Sequence, residues 1–329
     1  MSHASLIERI FSLEDNGDFD ALALDIFRHQ FFHNKVYRWF CEALKKNPFN
    51  VKTLSQVPFL PVSFFQQHRV VAFDATEERT FTSSGTAGST PSKHYVFDTG
   101  IYESSFLRAF RRFYGEPSDY CILALLPGYL ERSSSSLIYM VDALIGLTGC
   151  PHSGFYLYDL AALADKLQQL HDKGQRIMLI GVSFALLDLA EKHPVRIPSA
   201  IVMETGGMKG RRRELVREEL HQTLMEAFAV NTIHSEYGMT ELFSQAYSKG
   251  QGLFECPPWM RVLIRDPNDP LSLLPEGRSG GINVIDLANI HTCSFLATQD
   301  LGKIHPNGQF EVLGRFDHSD VRGCNLMVE

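Results

Sequence analysis

No C-x-x-C pair occurs in this chain. Its six cysteines (Cys41, Cys121, Cys150, Cys256, Cys293 and Cys324) are scattered over 329 residues. That spacing excludes a zinc finger and reads as free, mostly buried thiols of a reducing compartment rather than disulfides. Long apolar runs are also missing: nothing approaches the ~20 residues of a membrane span. The opening Met1-Ser2-His3-Ala4-Ser5 has neither the basic nor the apolar region of a secretory signal, so the expected location is cytoplasmic. Positive charge is scarce. With 31 Lys and Arg against 38 Asp and Glu, the net charge is −7, and no basic field is available to hold nucleic acid. A Walker-type loop is absent too. It needs its lysine directly after a glycine at a helix start, whereas Ser89-Thr90-Pro91-Ser92 separates Gly88 from Lys93. Pro91 also turns Thr90 away from helical geometry.

What is present begins with that same run, Thr82-Ser83-Ser84-Gly85-Thr86-Ala87-Gly88-Ser89-Thr90-Pro91-Ser92-Lys93. Glycines let backbone N–H groups close on an anion, hydroxyls add short donors, and a lysine supplies a compact positive charge. The run reads either as a polyphosphate-holding loop or as a Ser/Thr/Gly-rich surface linker. It leads into an extended segment at Tyr95-Val96-Phe97.

Periodicity organises the rest. Residues 5–46 read as helical with a break near Asn16-Gly17, and Asn47-Pro48 ends the run. Pro58-Phe59-Leu60-Pro61 imposes an extended apolar crossing. From Tyr120 onward strands and helices alternate: strand 120–126, helix 135–147 with Ser133-Ser134 before it, strand 155–158, a helix capped by Asp159, strand 176–180, helix 182–192, strand 199–203, helix 211–228 and strand 232–234. Such alternation implies parallel pairing. Past residue 258 short β segments separated by turn residues take over. The expected division is a helical segment packed on the body (1–80), an α/β body of parallel βαβ units (81–257), a smaller β subdomain (258–316), and a hinge with a mobile tail (317–329).

Four further groups fall at strand ends, where open α/β sheets place ligands. Gly206-Gly207 permits close approach of a flat ligand, or is a plain turn. Tyr237-Gly238-Met239-Thr240-Glu241 combines an aromatic face, a hydroxyl and a carboxylate. Glu241 suits Mg²⁺, which takes one or two carboxylates plus phosphate oxygens, or is simply helix N-terminal charge. Asp300, in Thr298-Gln299-Asp300-Leu301-Gly302, can accept two ribose hydroxyls or is a turn aspartate. Arg315, in Gly314-Arg315-Phe316-Asp317, is a phosphate or ribose donor. Gly181-Val182-Ser183-Phe184-Ala185 mimics a nucleophile elbow, but no His-Gly-Gly-type oxyanion segment precedes it, so Ser183 reads as a helix cap.

The order of these motifs over residues ~80 to 323 resembles the adenylate-forming superfamily of acyl-CoA synthetases and adenylation domains. Pro58-Phe59-Leu60-Pro61-Val62-Ser63-Phe64-Phe65, Glu204-Thr205-Gly206-Gly207-Met208-Lys209-Gly210, His234-Ser235-Glu236-Tyr237-Gly238-Met239-Thr240-Glu241 and the ending Gly323-Cys324-Asn325-Leu326 are similar to LuxE-type acyl-protein synthetases. The resemblance implies an α/β adenylate-forming body without the usual small C-terminal domain. It implies ATP- and Mg²⁺-dependent activation of a long-chain fatty acid to acyl-AMP, transfer to a C-terminal cysteine, and hand-over to a reductase or acyltransferase-type partner. Carried over residue by residue, Ser83, Ser84, Gly85, Thr86, Gly88 and Lys93 would surround the β,γ-phosphates. Gly206, Gly207, Tyr237 and Gly238 would flank adenine, and Thr240 and Glu241 would meet the α-phosphate and Mg²⁺. Asp300 and Arg315 would hold the ribose, with Cys324 as acyl acceptor.

Two local features favour the thiol of Cys324. It lies close to the chain end, where order is low, and Arg315 and Arg322 nearby raise the thiolate fraction. An extended stretch from Arg315 to Cys324 reaches at most about 30 Å, enough to swing the sulfur to the nucleotide. The rival readings are an acyl-CoA or acyl-carrier-protein ligase of the same superfamily and a non-catalytic nucleotide-binding scaffold.

Overall fold

The computed structural model describes residues 3–14, 17–72, 75–83, 90–126, 134–157, 159–206 and 215–316. Three helices come first: α1 (His3–Phe11), α2 (Phe19–His33) and α3 (Lys35–Ala43). Asp18 caps α2 by accepting from the Ala21 amide (3.0 Å), and Asn34 caps α3 by accepting from the Tyr37 amide (2.9 Å). Each cap satisfies an amide that has no partner inside its helix.

The chain then forms β1 (Leu60–Pro61), α4 (Phe64–Gln67), the hairpin β2 (Arg79–Thr82) and β3 (Lys93–Val96), and α5 (Thr99–Tyr114). The alternating part follows as β4 (Cys121–Leu125), α6 (Ser136–Gly146), β5 (Gly154–Phe155), α7 (Leu160–Asp172), β6 (Ile177–Val182), α8 (Ser183–Lys192), β7 (Ile201–Thr205), α9 (Arg217–Phe228) and β8 (His234–Tyr237). The remaining strands are β9 (Ala246–Ser248), β10 (Phe254–Glu255), β11 (Met260–Arg265), β12 (Ser279–Asp286), β13 (Phe295–Ile304) and β14 (Phe310–Arg315).

Pairing is unbroken from one edge to the other in the order β5-β4-β6-β7-β8-β9-β10-β14-β13-β12-β11. The strands from β5 to β8 pair in parallel. From β8 outward every pair is antiparallel. The extended crossing read around Pro58–Pro61 becomes β1, which pairs in parallel with β13. β4 and β6 are buried along their whole length, as expected of parallel strands covered on both faces. Each large aliphatic side chain so buried contributes about 1.5–3 kcal/mol.

Three local expectations are corrected. The cap of α6, for which Ser133 and Ser134 stand as candidates by their place before it, is Ser135, accepting from the Ile138 amide; Ser133 lies outside the described residues. Ser183 is the first residue of α8, not its cap, and Val182 takes that position. Cys121 and Cys150 are joined in a disulfide rather than free. The turn after α6 returns Cys150 beside the start of β4, with Cα atoms 5.2 Å apart, within bridging distance.

Buried amides tie the opening helices to the turn before β13: Asn34 Nδ2 donates to the Thr292 carbonyl at 2.8 Å, and Gln30 makes the larger set. Gln30 Nε2 donates to the carbonyls of Asn289 and Ile290 (3.0 and 3.2 Å) and to Ser294 Oγ (3.1 Å), and its Oε1 accepts from the Ser294 amide (2.9 Å). Gln30→Ala should therefore cost about 2–3 kcal/mol, because it strands buried donors and acceptors of the 289–294 turn. Urea unfolding measures the loss.

Candidate functional site

The C-terminal ends of β7 and β8 lie side by side, with Thr205 opposite Glu236. At the end of β7, Gly206 has φ +67, a left-handed conformation that favours glycine. Its carbonyl accepts from Ser183 Oγ at 2.9 Å, and the same hydroxyl lies 3.0 Å from Glu204 Oε2. His221 Nε2 stands 3.7 Å from Glu204 Oε1. Ser183 is thus buried against a carboxylate and a carbonyl instead of an imidazole. The geometry rules out an esterase elbow and leaves Ser183 as a prop for the Gly206 turn.

At the end of β8, Tyr237 is packed edge-on against Phe254 and Phe310, with ring centroids 5.9 and 5.5 Å away. Its hydroxyl donates to Asp300 Oδ2 at 2.9 Å. Asp300 on β13 is the register partner of Arg315 on β14, and Arg315 Nε stands 3.4 Å from Asp300 Oδ1. The Arg315 side chain is 73% exposed, so most of its donors remain available to a ligand. Behind Asp300, the buried guanidinium of Arg265 spans the sheet. It donates to the Ile282 and Thr298 carbonyls (both 2.6 Å) and to Asn283 Oδ1 (3.0 Å). A Cβ at Gly281 would lie 2.5 Å from Arg265 Cζ, which explains the glycine there. Burial pushes the Asp300 carboxyl above the usual range, while Arg315, the Tyr237 hydroxyl and Arg265 pull it back.

The glycine-loop hairpin docks onto this cluster through its base. Ser83 N donates to Ser92 O (3.1 Å) and Ser92 N to Ser83 Oγ (2.9 Å), and Lys93 opens β3 opposite Thr82. The Ser92 hydroxyl favours the charged form of the Glu241 carboxyl. His94 Nδ1 donates to the Thr240 carbonyl at 2.7 Å, with Nε2 accepting from Thr292 Oγ1 at 3.0 Å. Burial pushes this imidazole down to about 4, so it is neutral, the tautomer those two bonds need. Asn289 Nδ2 holds the Glu241 carbonyl at 2.7 Å. Burial also raises the Glu241 carboxyl, opposed by Ser92 and Arg315 and reinforced by Asp300.

His94 thereby ties the Ser83–Lys93 hairpin base to the Thr240–Glu241 turn, Tyr237, Asp300 and Arg315 form a second cluster whose charges act on Glu241, and Gly206 and Gly238 lie on the adjoining strand ends. Ser84, Gly85, Thr86, Gly88, Gly207 and Cys324 lie outside the described residues. His94, Arg265, Asp286, Asn289 and Glu236 are structural partners that sequence reading passed over. His94 alone had a signal, its place directly after Lys93, but its bond partners Thr240 and Thr292 are remote in the chain.

The donor set suits a nucleotide and one hard cation. Among the described residues no group of three or more His, Cys, Asp or Glu is placed to hold a metal. A divalent ion would therefore rest on Glu241 with phosphate oxygens, the coordination Mg²⁺ accepts. Burial pushes the Cys41 and Cys256 thiols up to about 12, and Cys293 higher still. These sulfurs stay protonated and poorly nucleophilic at neutral pH. No described helix is long and apolar enough to cross a membrane.

Residues 11–96 match the family model described as acyl-protein synthetase, LuxE. Over 68 residues the chain is 40% identical to a long-chain-fatty-acid–luciferin-component ligase of Photorhabdus luminescens, a match covering 20% of this chain and 58% of that protein. Among solved structures, ATP-bound MatB from Rhodopseudomonas palustris is 16% identical with a TM-score of 0.54, covering 74% of this chain and 49% of MatB. An open form of 2-hydroxyisobutyryl-CoA ligase, in complex with 2-HIB-AMP and CoA, is 15% identical with a TM-score of 0.68 and covers 91% of this chain and 70% of the ligase. The chain thus spans about half the length of MatB and 58% of its curated relative. It carries the fold of the adenylate-forming ligases, and its N-terminal part is similar to the LuxE acyl-protein synthetases.

Proposed function

We propose that this protein activates a fatty acid with ATP to give acyl-AMP and pyrophosphate, and then transfers the acyl group to the Cys324 thiol for delivery to a reductase partner in the cytoplasm. The observation that supports the reading is the grouping of Glu241, just past β8, with Asp300 in the middle of β13 and Arg315 at the end of β14, beside the base of the glycine-loop hairpin. A nucleotide is a ligand that needs these groups together.

In this reading Asp300 accepts the two ribose hydroxyls, held in place by Tyr237 and Arg265 from behind. Arg315 and Lys93 offset charge as a carboxylate approaches a phosphorus ringed by negative oxygens. Thr240 donates to the α-phosphate, and Glu241 holds Mg²⁺, which when bound withdraws charge from the phosphate oxygens. The sulfur of Cys324 then attacks the acyl carbon, the C–O bond to AMP breaks, and a thioester remains on the protein. The raised thiols of Cys41, Cys256 and Cys293 make poor alternatives.

The test is incubation with radiolabelled fatty acid, ATP and Mg²⁺, followed by hydroxylamine. Hydroxylamine-labile label on the wild type, absent from Cys324→Ser while acid-dependent pyrophosphate exchange persists, is the expected result. Label that survives in Cys324→Ser removes the acceptor assignment. Exchange without protein label redirects the reading to a coenzyme A or carrier-protein acceptor, and no exchange leaves a nucleotide-binding scaffold.

A further inference from the structure

The nucleotide groups gather past the C-terminal ends of the parallel strands. At the opposite ends, beside the starts of β4 and β6, lies an open cavity of about 410 Å³. Ser118, Tyr120, His152 and Lys173 are among its walls, which makes the lining hydrophilic. Cys150 is part of the same wall and is half-buried there. Its bonded partner is placed differently. Cys121, the first residue of β4, has 0% exposure and lies in register with Ile177 of β6. The disulfide thus presents one of its residues to the cavity and hides the other.

The turn that carries Cys150 has other attachments. Ser153 N donates to the Cys150 carbonyl at 3.1 Å, and Ser153 Oγ accepts from the Ile122 amide at 2.9 Å. These two bonds keep the turn on β4 when the sulfurs part. The Ser153 hydroxyl also donates to Cys121 Sγ, 3.8 Å away. A donor at that sulfur stabilises negative charge on it, and a stabilised thiolate leaves faster. Access and charge therefore agree: a nucleophile reaches Cys150, and Cys121 is the leaving group. Burial keeps the thiols of Cys41, Cys256 and Cys293 protonated, so they do not compete.

We propose that Cys150 is a thiol-exchange site: a small hydrophilic dithiol enters the cavity and reversibly opens the Cys121–Cys150 bond in the folded protein. One thiolate of the dithiol attacks Cys150 Sγ, the S–S bond breaks, and its electron pair leaves on Cys121 Sγ, which takes a proton. The dithiol's second thiol then gives up its proton and attacks the reagent's own sulfur in the mixed disulfide. A cyclic disulfide closes, and Cys150 is released and protonated. Two electrons and two protons pass from the reagent to the two cysteines, and the cyclic disulfide closes the bond again by the reverse steps. Disulfides with an exposed sulfur are the labile and regulatory ones. The bond latches the turn that leads into the edge strand β5, so its opening acts on the sheet edge and not on the nucleotide groups. The inference goes beyond the acyl-transfer reading and does not depend on it.

The test treats the folded full chain with dithiothreitol, follows the fold by circular dichroism and maps alkylated cysteines by mass spectrometry. In the air-oxidised wild type Cys121 and Cys150 should stay unalkylated. Dithiothreitol should free both with the circular dichroism spectrum unchanged. Brief iodoacetamide treatment of the reduced protein should then label Cys150 about tenfold or more faster than Cys121. Glutathione disulfide should add to Cys150 in Cys121→Ser and leave Cys121 bare in Cys150→Ser. If Cys121→Ser does not fold, the two labelling rates in the reduced wild type decide alone. Equal labelling of the two sulfurs, Cys121 labelled first, a bond that opens only as the chain unfolds, or two free thiols in the air-oxidised protein overturns the proposal.

Discussion

Asp300→Ala should lower kcat/KM for ATP in acid-dependent pyrophosphate exchange by about a hundred- to a ten-thousandfold. The carboxylate is nearly buried yet, among the described residues, has two side-chain partners, the Tyr237 hydroxyl at 2.9 Å and Arg315 Nε at 3.4 Å. Its remaining acceptor capacity is what a ribose diol requires. Each hydrogen bond to a charged group contributes about 1.5–3 kcal/mol, and each 1.36 kcal/mol is a factor of ten in rate, so losing two such bonds gives that range. Tyr237→Phe should cost about tenfold or less, since it removes a prop and leaves the carboxylate in place. Asp300→Asn should fall between them, because its amide accepts at one atom only. The measurement must exclude unfolding. Removing Asp300 leaves the buried Tyr237 hydroxyl without an acceptor, a stability loss of about 1–3 kcal/mol, so a thermal melt belongs beside the kinetics. Near wild-type kcat/KM in a folded Asp300→Ala protein would end the ribose assignment.

The order of elements was legible because each left a local signature. Asp159, read as a cap, accepts from the Ala162 amide at 2.9 Å. The apolar run 120–126 became a fully buried strand, and Pro58–Pro61 became the extended crossing now paired with β13. What stayed hidden involves partners far apart in the chain. Nothing near Arg265 announces that it lies across β12 and β13 behind Asp300, because that placement depends on sheet register and on the missing side chain at Gly281. Glu236 looked like an ordinary residue before the Tyr-Gly-Met-Thr-Glu motif. Only the alternation of a strand, which sends Tyr237 to one face and its neighbour to the other, puts the Glu236 carboxyl against the Thr205 hydroxyl. Cys121 and Cys150 misled for the same reason, since their approach depends on where the turn after α6 comes to rest.

Asp286 is the clearest case of such a hidden residue, and Asp286→Ala should be the most damaging single change to the fold around the site. It is buried with 0% exposure, and four donors converge on its carboxylate. Oδ2 accepts from the Phe243 and Ser244 amides at 2.8 and 2.9 Å, and Oδ1 from Ser244 Oγ at 2.6 Å and the Ala288 amide at 3.1 Å. Burial pushes the carboxyl above its usual range, and these four bonds work against that shift. Alanine would leave three backbone amides and a hydroxyl facing an empty apolar space. Stranding hydrogen-bonded partners of a buried charge costs about 3–5 kcal/mol, which for a chain of this size lowers the melting midpoint by about four to seven degrees. Asp286→Asn should lose roughly half as much, since one oxygen still accepts while the new NH₂ group meets donors. The consequence reaches the chemistry, because Phe243 follows closely on Glu241 and stacks on His94 at 4.7 Å, the residue that holds the Thr240 carbonyl. Folded Asp286→Asn protein should therefore show weaker pyrophosphate exchange at temperatures well below its melt. If exchange and melting separate, with activity intact and stability lost, the Asp286 network supports the fold alone and the Thr240–Glu241 turn is held by His94 and Asn289.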